Sequence, residues 1–413
     1  SKVSSELDVK LGNVMSAIEA GLNIRLREAL EEEVEYILTF GILNKARSGI
    51  EVTSSHIAPF TPINYTKRPK LDFENGIYLG RDVTTETPVI INIRDHILKH
   101  VVILGPTGRG KTTLASILVS KLVNEYNIPC WIIDYRGEYK SKVMVENLTV
   151  IKAGEKQINI LDYTYTTPKT RAKQVVEAIS VVKKLTPIEE YILLNTLIEL
   201  YSSKSKPTIS DLIEYLKSKC SDSKLYVEEK IAIQTLISKL NILSDKVFNS
   251  RTLSIPVERL VNLPVVFDLS TIPDEYRDLY AITILQILLN YMTYKGEHKL
   301  IAIVVDEAWR ILRHSKGRQT LLKFFKEGRG YGLIAIVISQ DFNDIPQEIL
   351  DNVGAIFAFG SHSKDYVERV AKYMNLNEFE KEKMTWLKTG EALLRLYGDP
   401  RPIWIRVDEK AVI

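Results

Sequence analysis

The sequence predicts an α/β fold built on a mostly parallel β-sheet flanked by helices. From about residue 76 onward, short apolar runs rich in β-branched residues alternate with stretches of helical periodicity. These runs are not interrupted by polar alternation, as expected for strands that are buried on both faces of a helix-covered parallel sheet. The predicted strands are residues 101–104, 129–133, 148–151, 264–267, 301–305, 333–338 and 355–359.

Two parts of the chain lack strand signals. Apolar residues recur every three or four positions over residues 5–48, which predicts a helix, and residues 51–75 resemble a linker. Between 166 and 250, Thr186-Pro187 followed by Glu189 predicts a helix start with a capping box. We therefore divide the chain into a helical N-terminal segment with a linker (1–60), a first part of the α/β core (61–165), an all-α insertion (166–250) and a second part of the core (251–413).

Composition limits the choice of partners and compartment. The 413 residues include 55 Lys and Arg against 52 Asp and Glu, a net charge of +3, so any DNA contact must come from a local cluster of cations. Cys130 and Cys220 lack metal-site or disulfide spacing, which fits a reducing interior. No stretch approaches the roughly 18 consecutive apolar residues of a membrane span. We expect a cytoplasmic protein. Since the sequence starts at Ser1 rather than Met, an upstream anchor and a place at the cytoplasmic face of a membrane stay open.

The strongest motif is a glycine-rich loop between a predicted strand and a predicted helix. Residues 105–112 match G-x-x-x-x-G-K-[ST] in full. The glycines let backbone N–H groups converge on phosphate oxygens, Lys111 reaches the β- and γ-phosphates, and the Thr112 hydroxyl ligates Mg²⁺. We therefore predict a site for ATP and Mg²⁺. Its nucleotide-binding residues are Gly105, Pro106, Thr107, Gly108, Arg109, Gly110, Lys111, Thr112 and Thr113.

An acid pair, Asp306 and Glu307, follows the predicted strand 301–305. An acid at the end of a buried strand can hold Mg²⁺ through its water shell, and a carboxylate beside it can polarise the attacking water. We predict that Asp306 joins Thr112 at the metal, and that Glu307 is catalytic together with Lys111. The second acid favours hydrolysis of ATP to ADP and phosphate over transfer to a small molecule, so no small-molecule substrate besides the nucleotide is expected.

Polar residues follow five of the predicted strands, and ligands of parallel sheets bind beyond the carboxyl ends of the strands. Gln340, at one such end, is placed to orient water or to sense the γ-phosphate. Arg329 lies in a glycine-rich turn just before the same strand, 333–338, and an arginine there can neutralise transition-state charge in its own site or in a neighbour's. The residues at the five strand ends are Gly105–Thr112, Asp134, Asp268, Asp306–Glu307 and Ser339–Gln340.

A basic run after the acid pair is the candidate DNA contact. Two interpretations stay open: a solvated helix face, or a pore-facing phosphate contact that is repeated once per subunit around a ring. The candidate residues are Arg310, Arg313, Lys316 and Arg318.

Together the motifs resemble the HerA/FtsK superfamily of ring ATPases, especially its type IV secretion and conjugation branch, to which archaeal DNA-import ATPases are similar. The resemblance covers roughly four-fifths of the chain. Its matching pieces are residues 79–82, 88–89, 100, 132–139, 158–162, 306–309, 327–329, 339–340 and 390–394.

The resemblance implies a RecA-like core with an all-α insertion, assembly into homo-hexamers, and ATP-driven movement of DNA through the ring. It also implies service to a membrane channel protein during DNA transfer. Residues 1–60 do not resemble the N-terminal β-barrel of HerA proteins, and the arginine that some members place ahead of the loop falls near Lys99. Two functions stay open: a DNA motor, and a secretion or pilus-type ATPase that moves or assembles protein without gripping DNA.

Overall fold

The computed structural model describes residues 76–412, except for 156–157, 222, 224, 245–246, 251–254, 297–298 and 399–401. The chain divides into two compact units after Thr66, and the described residues all belong to the second unit. The helix predicted over 5–48 and the linker over 51–75 lie outside the described residues. Among the helices that are described, none is both long enough and apolar enough to cross a membrane.

In the described part of the chain, eleven strands form one sheet. They are β1 (Gly76–Asp82), β2 (Pro88–Asn92), β3 (Val101–Leu104), β4 (Cys130–Asp134), β5 (Thr149–Lys152), β6 (Val265–Asp268), β7 (Ile301–Val305), β8 (Leu333–Ser339), β9 (Ala355–Phe359), β10 (Glu391–Leu396) and β11 (Ile403–Val407). Their order across the sheet is β2-β1-β11-β10-β9-β3-β8-β7-β4-β6-β5. The seven strands from β9 to β5 in this order are parallel, and the other four continue the sheet in antiparallel fashion. The predicted mostly parallel fold is confirmed.

Helices cover both faces of this sheet. Val102 and Ile103 of β3 point to opposite faces, because successive side chains of a strand alternate, and they enter two separate apolar clusters. The helices are α1 (Lys111–Tyr126), α2 (Tyr139–Lys142), α3 (Pro168–Val182), α4 (Pro187–Ser203), α5 (Ile209–Cys220), α6 (Val227–Asn241), α7 (Val257–Leu260), α8 (Asp274–Lys295), α9 (Trp309–Leu312), α10 (Ser315–Glu327), α11 (Gln347–Leu350), α12 (Lys364–Met374) and α13 (Glu378–Trp386).

The seven predicted strands correspond to β3–β9, each within one residue at either end. The antiparallel strands β1, β2, β10 and β11 were not predicted as strands. Polar residues interrupt most of them, for example Glu391 and Arg395 in β10. An antiparallel strand at a sheet margin tolerates such residues, whereas a strand buried on both faces does not.

Helices α3–α7 fill the stretch between β5 and β6. The Thr186 side chain accepts a hydrogen bond from the Glu189 N–H (3.4 Å), and the Glu189 carboxylate accepts one from the Thr186 N–H (2.7 Å). This is the predicted capping box at the start of α4. The division of the chain into core and insertion stays a prediction.

Candidate nucleotide site at the carboxyl edge of the sheet

The parallel strands β3, β8, β7, β4 and β6 are adjacent, so their carboxyl ends meet at one edge of the sheet. We call this the carboxyl edge, and the opposite one the amino edge. A cleft of about 320 Å³ opens at the carboxyl edge. It is lined by the loop around Lys111, by Arg136 and Glu138 after β4, by Asp306 and Glu307 after β7, and by Thr389 and Glu409.

The glycine-rich loop owes its shape to three glycines with positive φ: Gly105 (148°), Gly108 (77°) and Gly110 (111°). A Cβ on Gly105 would lie 2.7 Å from the Cβ of Phe359 in β9, so this glycine permits a close approach of loop and strand. A Cβ on Gly108 would meet no atom within 4 Å, so that glycine is required by its backbone conformation alone. The loop therefore presents backbone N–H groups toward the cleft, as phosphate binding needs.

Lys111 begins helix α1 directly after the loop. Its ammonium donates hydrogen bonds to the carbonyl oxygens of Gly105 (2.7 Å) and Pro106 (2.9 Å). Burial lowers the pKa of Lys111, while the negative charges of Asp306 and Glu307 oppose this shift. The ammonium is thus held at the base of the cleft by partners that an incoming phosphate can replace.

Asp306 lies at the end of β7 and is almost fully buried. Its carboxylate accepts a hydrogen bond from the Glu307 N–H (2.8 Å). Burial raises the pKa of Asp306 to about 6, and the negative charges of Glu307 and Asp134 act in the same direction. This concentration of acids beside the Thr112 hydroxyl fits a divalent cation, since Mg²⁺ prefers oxygen ligands and keeps several of its waters.

The Glu307 carboxylate is fixed by three side chains from different parts of the chain. One oxygen forms an ion pair with Arg136 (2.5 Å). The other accepts hydrogen bonds from the Trp309 indole N–H (2.6 Å) and from the Gln340 amide (2.9 Å). The predicted catalytic pair Glu307 and Gln340 is therefore in direct contact, at the edge of the cleft that holds Lys111.

Arg136 was not predicted as a site residue, and Asp134 explains its position. The buried Asp134 carboxylate accepts hydrogen bonds from the backbone N–H groups of Arg136 (3.0 Å), Gly137 (2.8 Å) and Tyr139 (2.9 Å). It thereby folds the chain after β4 into a turn that directs Arg136 toward Glu307. Trp309 was also not predicted as a site residue. Both residues belong to the family-like motifs at 132–139 and 306–309, so the sequence signal was present.

The segment before β10 completes the cleft, next to the family-like motif at 390–394. The Arg109 carbonyl accepts a hydrogen bond from the Gly390 N–H (3.0 Å), and the Arg109 guanidinium donates one to the Leu387 carbonyl (3.1 Å). The glycine-rich loop is thus bound to the segment between α13 and β10. This segment contributes Thr389 to the cleft wall.

Arg329 does not join the site of its own chain. It lies in a 3₁₀ turn, Gly328–Tyr331, immediately before β8, and is exposed. The turn is therefore at the amino edge, and the seven residues of β8 separate it from the carboxyl edge by roughly 20 Å. This separation argues against a role of Arg329 in its own site. A role in a neighbour's site stays a prediction.

Carboxylates from other elements pair with the basic run. Arg310 contacts Asp278 (2.9 Å) and Asp274 (2.9 Å), and its side chain is only 13% exposed. Arg313 also contacts Asp278 (3.2 Å). Arg318 contacts Glu348 (3.0 Å), and Lys316 lies 4.0 Å from Glu190. The run itself contains no acid, but the fold brings acids from α4, α8 and α11 to it.

A glycine-rich loop between a central parallel strand and a helix, with an acid pair at the same sheet edge, defines a P-loop ATPase. The chain belongs to the HerA helicase central-domain family, whose model matches residues 77–288. It is also similar to the DNA import protein CedB of Sulfolobus acidocaldarius, with 26% identity over 398 residues. The match covers 94% of this chain and 64% of that protein, so the chain spans less than two thirds of this relative's length.

Two solved structures share the fold. VirB4 of Thermoanaerobacter pseudethanolicus has a TM-score of 0.68 and 23% identity, with 82% of this chain and 98% of that chain covered. The plasmid coupling protein TrwB, in complex with the non-hydrolysable ATP analogue ADPNP, has a TM-score of 0.59 and 14% identity, with 86% and 92% covered. These likenesses support the same mostly parallel sheet and helical layers described above.

Proposed function

We propose that the chain hydrolyses ATP in order to move DNA, as a homo-hexameric ring at the cytoplasmic face of a membrane, where it serves a channel protein. The observation that carries this proposal is the fixed Glu307 carboxylate beside the phosphate loop. A carboxylate held on both oxygens, by Arg136 on one side and by Trp309 and Gln340 on the other, is oriented before substrate arrives. Such preorganisation suits the activation of water for attack on a phosphate.

Each residue of the cleft has a distinct part in this proposal. The loop N–H groups and Lys111 bind the phosphates, and Lys111 balances charge that develops on them. Thr112 and Asp306 would hold Mg²⁺, which neutralises phosphate charge when bound. Glu307 accepts the proton of the attacking water, and Gln340 keeps Glu307 and that water in line. The site needs no second substrate, which supports hydrolysis rather than transfer.

DNA as the moved substrate is supported by the relative named as a DNA import protein and by three exposed cations. The side chains of Arg313, Lys316 and Arg318 are 48%, 40% and 44% exposed. We leave Arg310 out of the proposed DNA-contacting set, because two carboxylates hold its guanidinium and the Tyr135 ring lies 5.0 Å from it. Around a ring, the three cations would be repeated on every subunit.

The pairing of these cations with carboxylates also favours the second candidate function. A cation that already has a carboxylate partner gains less from a phosphate, since it must give up that partner. A secretion or pilus-type ATPase, which moves or assembles protein without gripping DNA, would need no free cations on this surface. The two candidates differ in one measurable property: whether DNA changes the ATPase rate.

The test measures ATP hydrolysis with and without DNA, at low and at high salt. We expect DNA to stimulate turnover and the stimulation to fade with salt, because each phosphate contact contributes a slope of about −0.9 to the logarithmic salt dependence for duplex DNA and about −0.7 for single strands. The double variant Arg313→Glu/Arg318→Glu should lose the stimulation and keep the basal rate.

Lys152→Glu/Lys204→Glu is the matched control, because those lysines are also ion-paired and are 45% and 50% exposed. It should behave like the unmodified protein. An assembled protein that hydrolyses ATP but ignores DNA would establish the protein-moving alternative. If Lys111→Ala hydrolyses ATP at the unmodified rate, the chain is not an ATPase of this kind.

A further inference from the structure

Helix α13 presents two large aromatic side chains to the outside. Phe379 is 74% exposed and Trp386 is 75% exposed. They are seven positions apart, so they lie on the same face of the helix, two turns from each other. The opposite face carries Met384, which is fully buried. An exposed aromatic pair on an ordered helix is typical of a protein interface, where tryptophan often contributes most of the binding energy.

This aromatic face is connected to the nucleotide site. Trp386 precedes Leu387, whose carbonyl accepts the hydrogen bond from the Arg109 guanidinium of the phosphate loop. Two residues further on, Thr389 lines the cleft. A partner that covers α13 therefore contacts the rim of the cleft as well. The site still lacks the positive charge of Arg329, which lies at the amino edge of its own chain.

The amino edge carries a cavity of about 430 Å³. Val353 and Ile356 line it at the start of β9, together with Tyr373 of α12 and the end of β10. The Arg395 guanidinium lies 4.9 Å from the Tyr373 ring centre, and Lys99 lies 4.1 Å from the ring centre of Tyr397. Apolar side chains such as Val353 and Ile356 line the cavity together with the polar side chains of Asp351 and Arg395. A guanidinium at this place can attract the face of a further aromatic ring.

We infer that the aromatic face of α13 docks into this amino-edge cavity of a second copy of the chain, head to tail. This inference rests on the proposed function, because only a ring ATPase needs such a contact. The two partner surfaces lie on opposite edges of the same sheet, so each copy can donate one and accept the other. Head-to-tail contacts of this kind generate rings when their rotation closes.

The strand order supports this arrangement. On the carboxyl edge the phosphate loop follows β3, two strands from β10, before which α13 ends. On the amino edge Arg329 precedes β8, two strands from β9, where the cavity lies. Neighbouring strands are about 4.8 Å apart, so the phosphate loop and α13 are separated by about 10 Å across the sheet, as are Arg329 and the cavity. In both cases the displacement runs toward the β2 end of the sheet. Docking α13 in the cavity thus brings Arg329 of one copy toward the phosphate loop of the other.

Cysteine crosslinking tests the contact directly. Chains with Glu382→Cys and chains with Asp351→Cys, both also carrying Cys220→Ser, are mixed with a non-hydrolysable ATP analogue and oxidised. Glu382 is exposed between Phe379 and Trp386 on α13, and Asp351 lines the cavity, so the aromatic side chains of the contact stay intact. We expect a disulfide between the two kinds of chain. The two positions lie at opposite edges of the sheet, so neither chain can form it alone. The matched control pairs Tyr226→Cys with Asp351→Cys, because Tyr226 is also exposed (78%) but lies directly before α6.

A second measurement keeps the inference testable if oxidation is inefficient. Trp386→Ala should raise the protein concentration needed for half-maximal assembly and ATPase activity by about tenfold or more, as for an interface hot spot. Trp386→Phe should recover most of that loss, and Tyr226→Ala should leave assembly unchanged.

The inference fails if the protein forms rings but neither crosslinks at this pair nor depends on Trp386. It also fails if the Tyr226 control crosslinks equally well. A protein that assembles through Trp386 yet never hydrolyses ATP would overturn the proposed function and leave the docking contact standing.

Discussion

At the scale of single residues, Glu307 combines an unusual backbone with an unusual number of partners. Its φ is 47°, in the left-handed region that non-glycine residues rarely occupy, and such a conformation costs about 1 to 3 kcal/mol. Contacts from Arg136, Trp309 and Gln340 offset that cost. Strain held in this way is common where a side chain must have a fixed direction, which agrees with the role proposed for Glu307.

Replacing Glu307 by glutamine separates binding from turnover. The Gln side chain retains the size and one oxygen of the original, but it cannot accept the proton of the attacking water. We expect Glu307→Gln to bind ATP with nearly unchanged affinity and to lose about 100-fold or more in kcat. Nucleotide binding and single-turnover hydrolysis are the measurements. Glu138→Gln, in the same cleft, is the control and should keep its activity. Full turnover in Glu307→Gln would show that Glu307 is not the acceptor of the water proton.

The residues of the site differ in how readily sequence reveals them. Lys111, Thr112, Asp306 and Glu307 belong to motifs whose spacing follows from the chemistry, so they could be predicted. Arg136 could not be derived in that way, because its position depends on the turn that Asp134 folds through three backbone hydrogen bonds. Thr389 enters the cleft only through the packing of β10 beside β9, a contact between distant parts of the chain.

At the scale of elements, the strand predictions succeeded where burial is greatest. The parallel strands β3, β4 and β6 to β9 are apolar because both faces are covered, and that requirement is visible in the sequence. Strand β5 lies at the edge of the sheet and is only partly buried. The location of Arg329 at the amino edge could also be predicted from the sequence. It precedes a strand, whereas the site lies after the strands, so a parallel sheet alone places the two at opposite edges. The antiparallel strands β10 and β11 could not be found from apolar runs, since they carry Glu391 and Arg406.

His100 joins three elements at the amino edge. It precedes β3, its Nδ1 accepts a hydrogen bond from the Ala335 N–H of β8 (3.0 Å), and its Nε2 lies 3.2 Å from the Phe325 carbonyl of α10. Burial lowers the pKa of His100 to about 4, and the positive charge of Arg329 acts in the same direction. The folded protein therefore keeps this imidazole neutral below the pH at which an exposed histidine takes up a proton.

This shift predicts a pH dependence of stability. The unfolded chain binds the proton near pH 6.5 and the folded chain only near pH 4, so the contribution of His100 is complete above pH 6.5 and is lost as the pH falls toward 4. The loss amounts to about 3 kcal/mol. The loss is measured as the change in the free energy of unfolding between pH 7 and pH 4, by denaturant unfolding of the unmodified protein and of His100→Asn. The raised pKa of Asp306 has the opposite effect, but it is common to both proteins and cancels in the comparison. Parallel pH profiles would contradict the assignment.

At the scale of the whole molecule, the position of Arg329 bears on assembly. An arginine at the amino edge can assist hydrolysis only in another subunit. Mixing Arg329→Ala chains with Lys111→Ala chains should therefore restore activity that neither has alone. At equal amounts and random assembly, about a quarter of the head-to-tail interfaces pair an intact loop with an intact arginine. The ATPase rate of the mixture should approach that fraction of the unmodified rate. Mixtures that exchange subunits but never exceed the sum of their parts would exclude the trans role.

The packing of the phosphate loop against Phe359 and Gly390 has a consequence for synthesis of the chain. On the ribosome the complete loop motif emerges early, but the strands that hold it in shape emerge late. At about 5 to 20 residues per second, the roughly 300 residues between β3 and β11 take about 15 to 60 s to appear. For most of that interval β3 has neither of its sheet neighbours, β8 and β9, and the binding site for ATP is incomplete. The nucleotide can therefore stabilise this site only after β9 and β10 have been made.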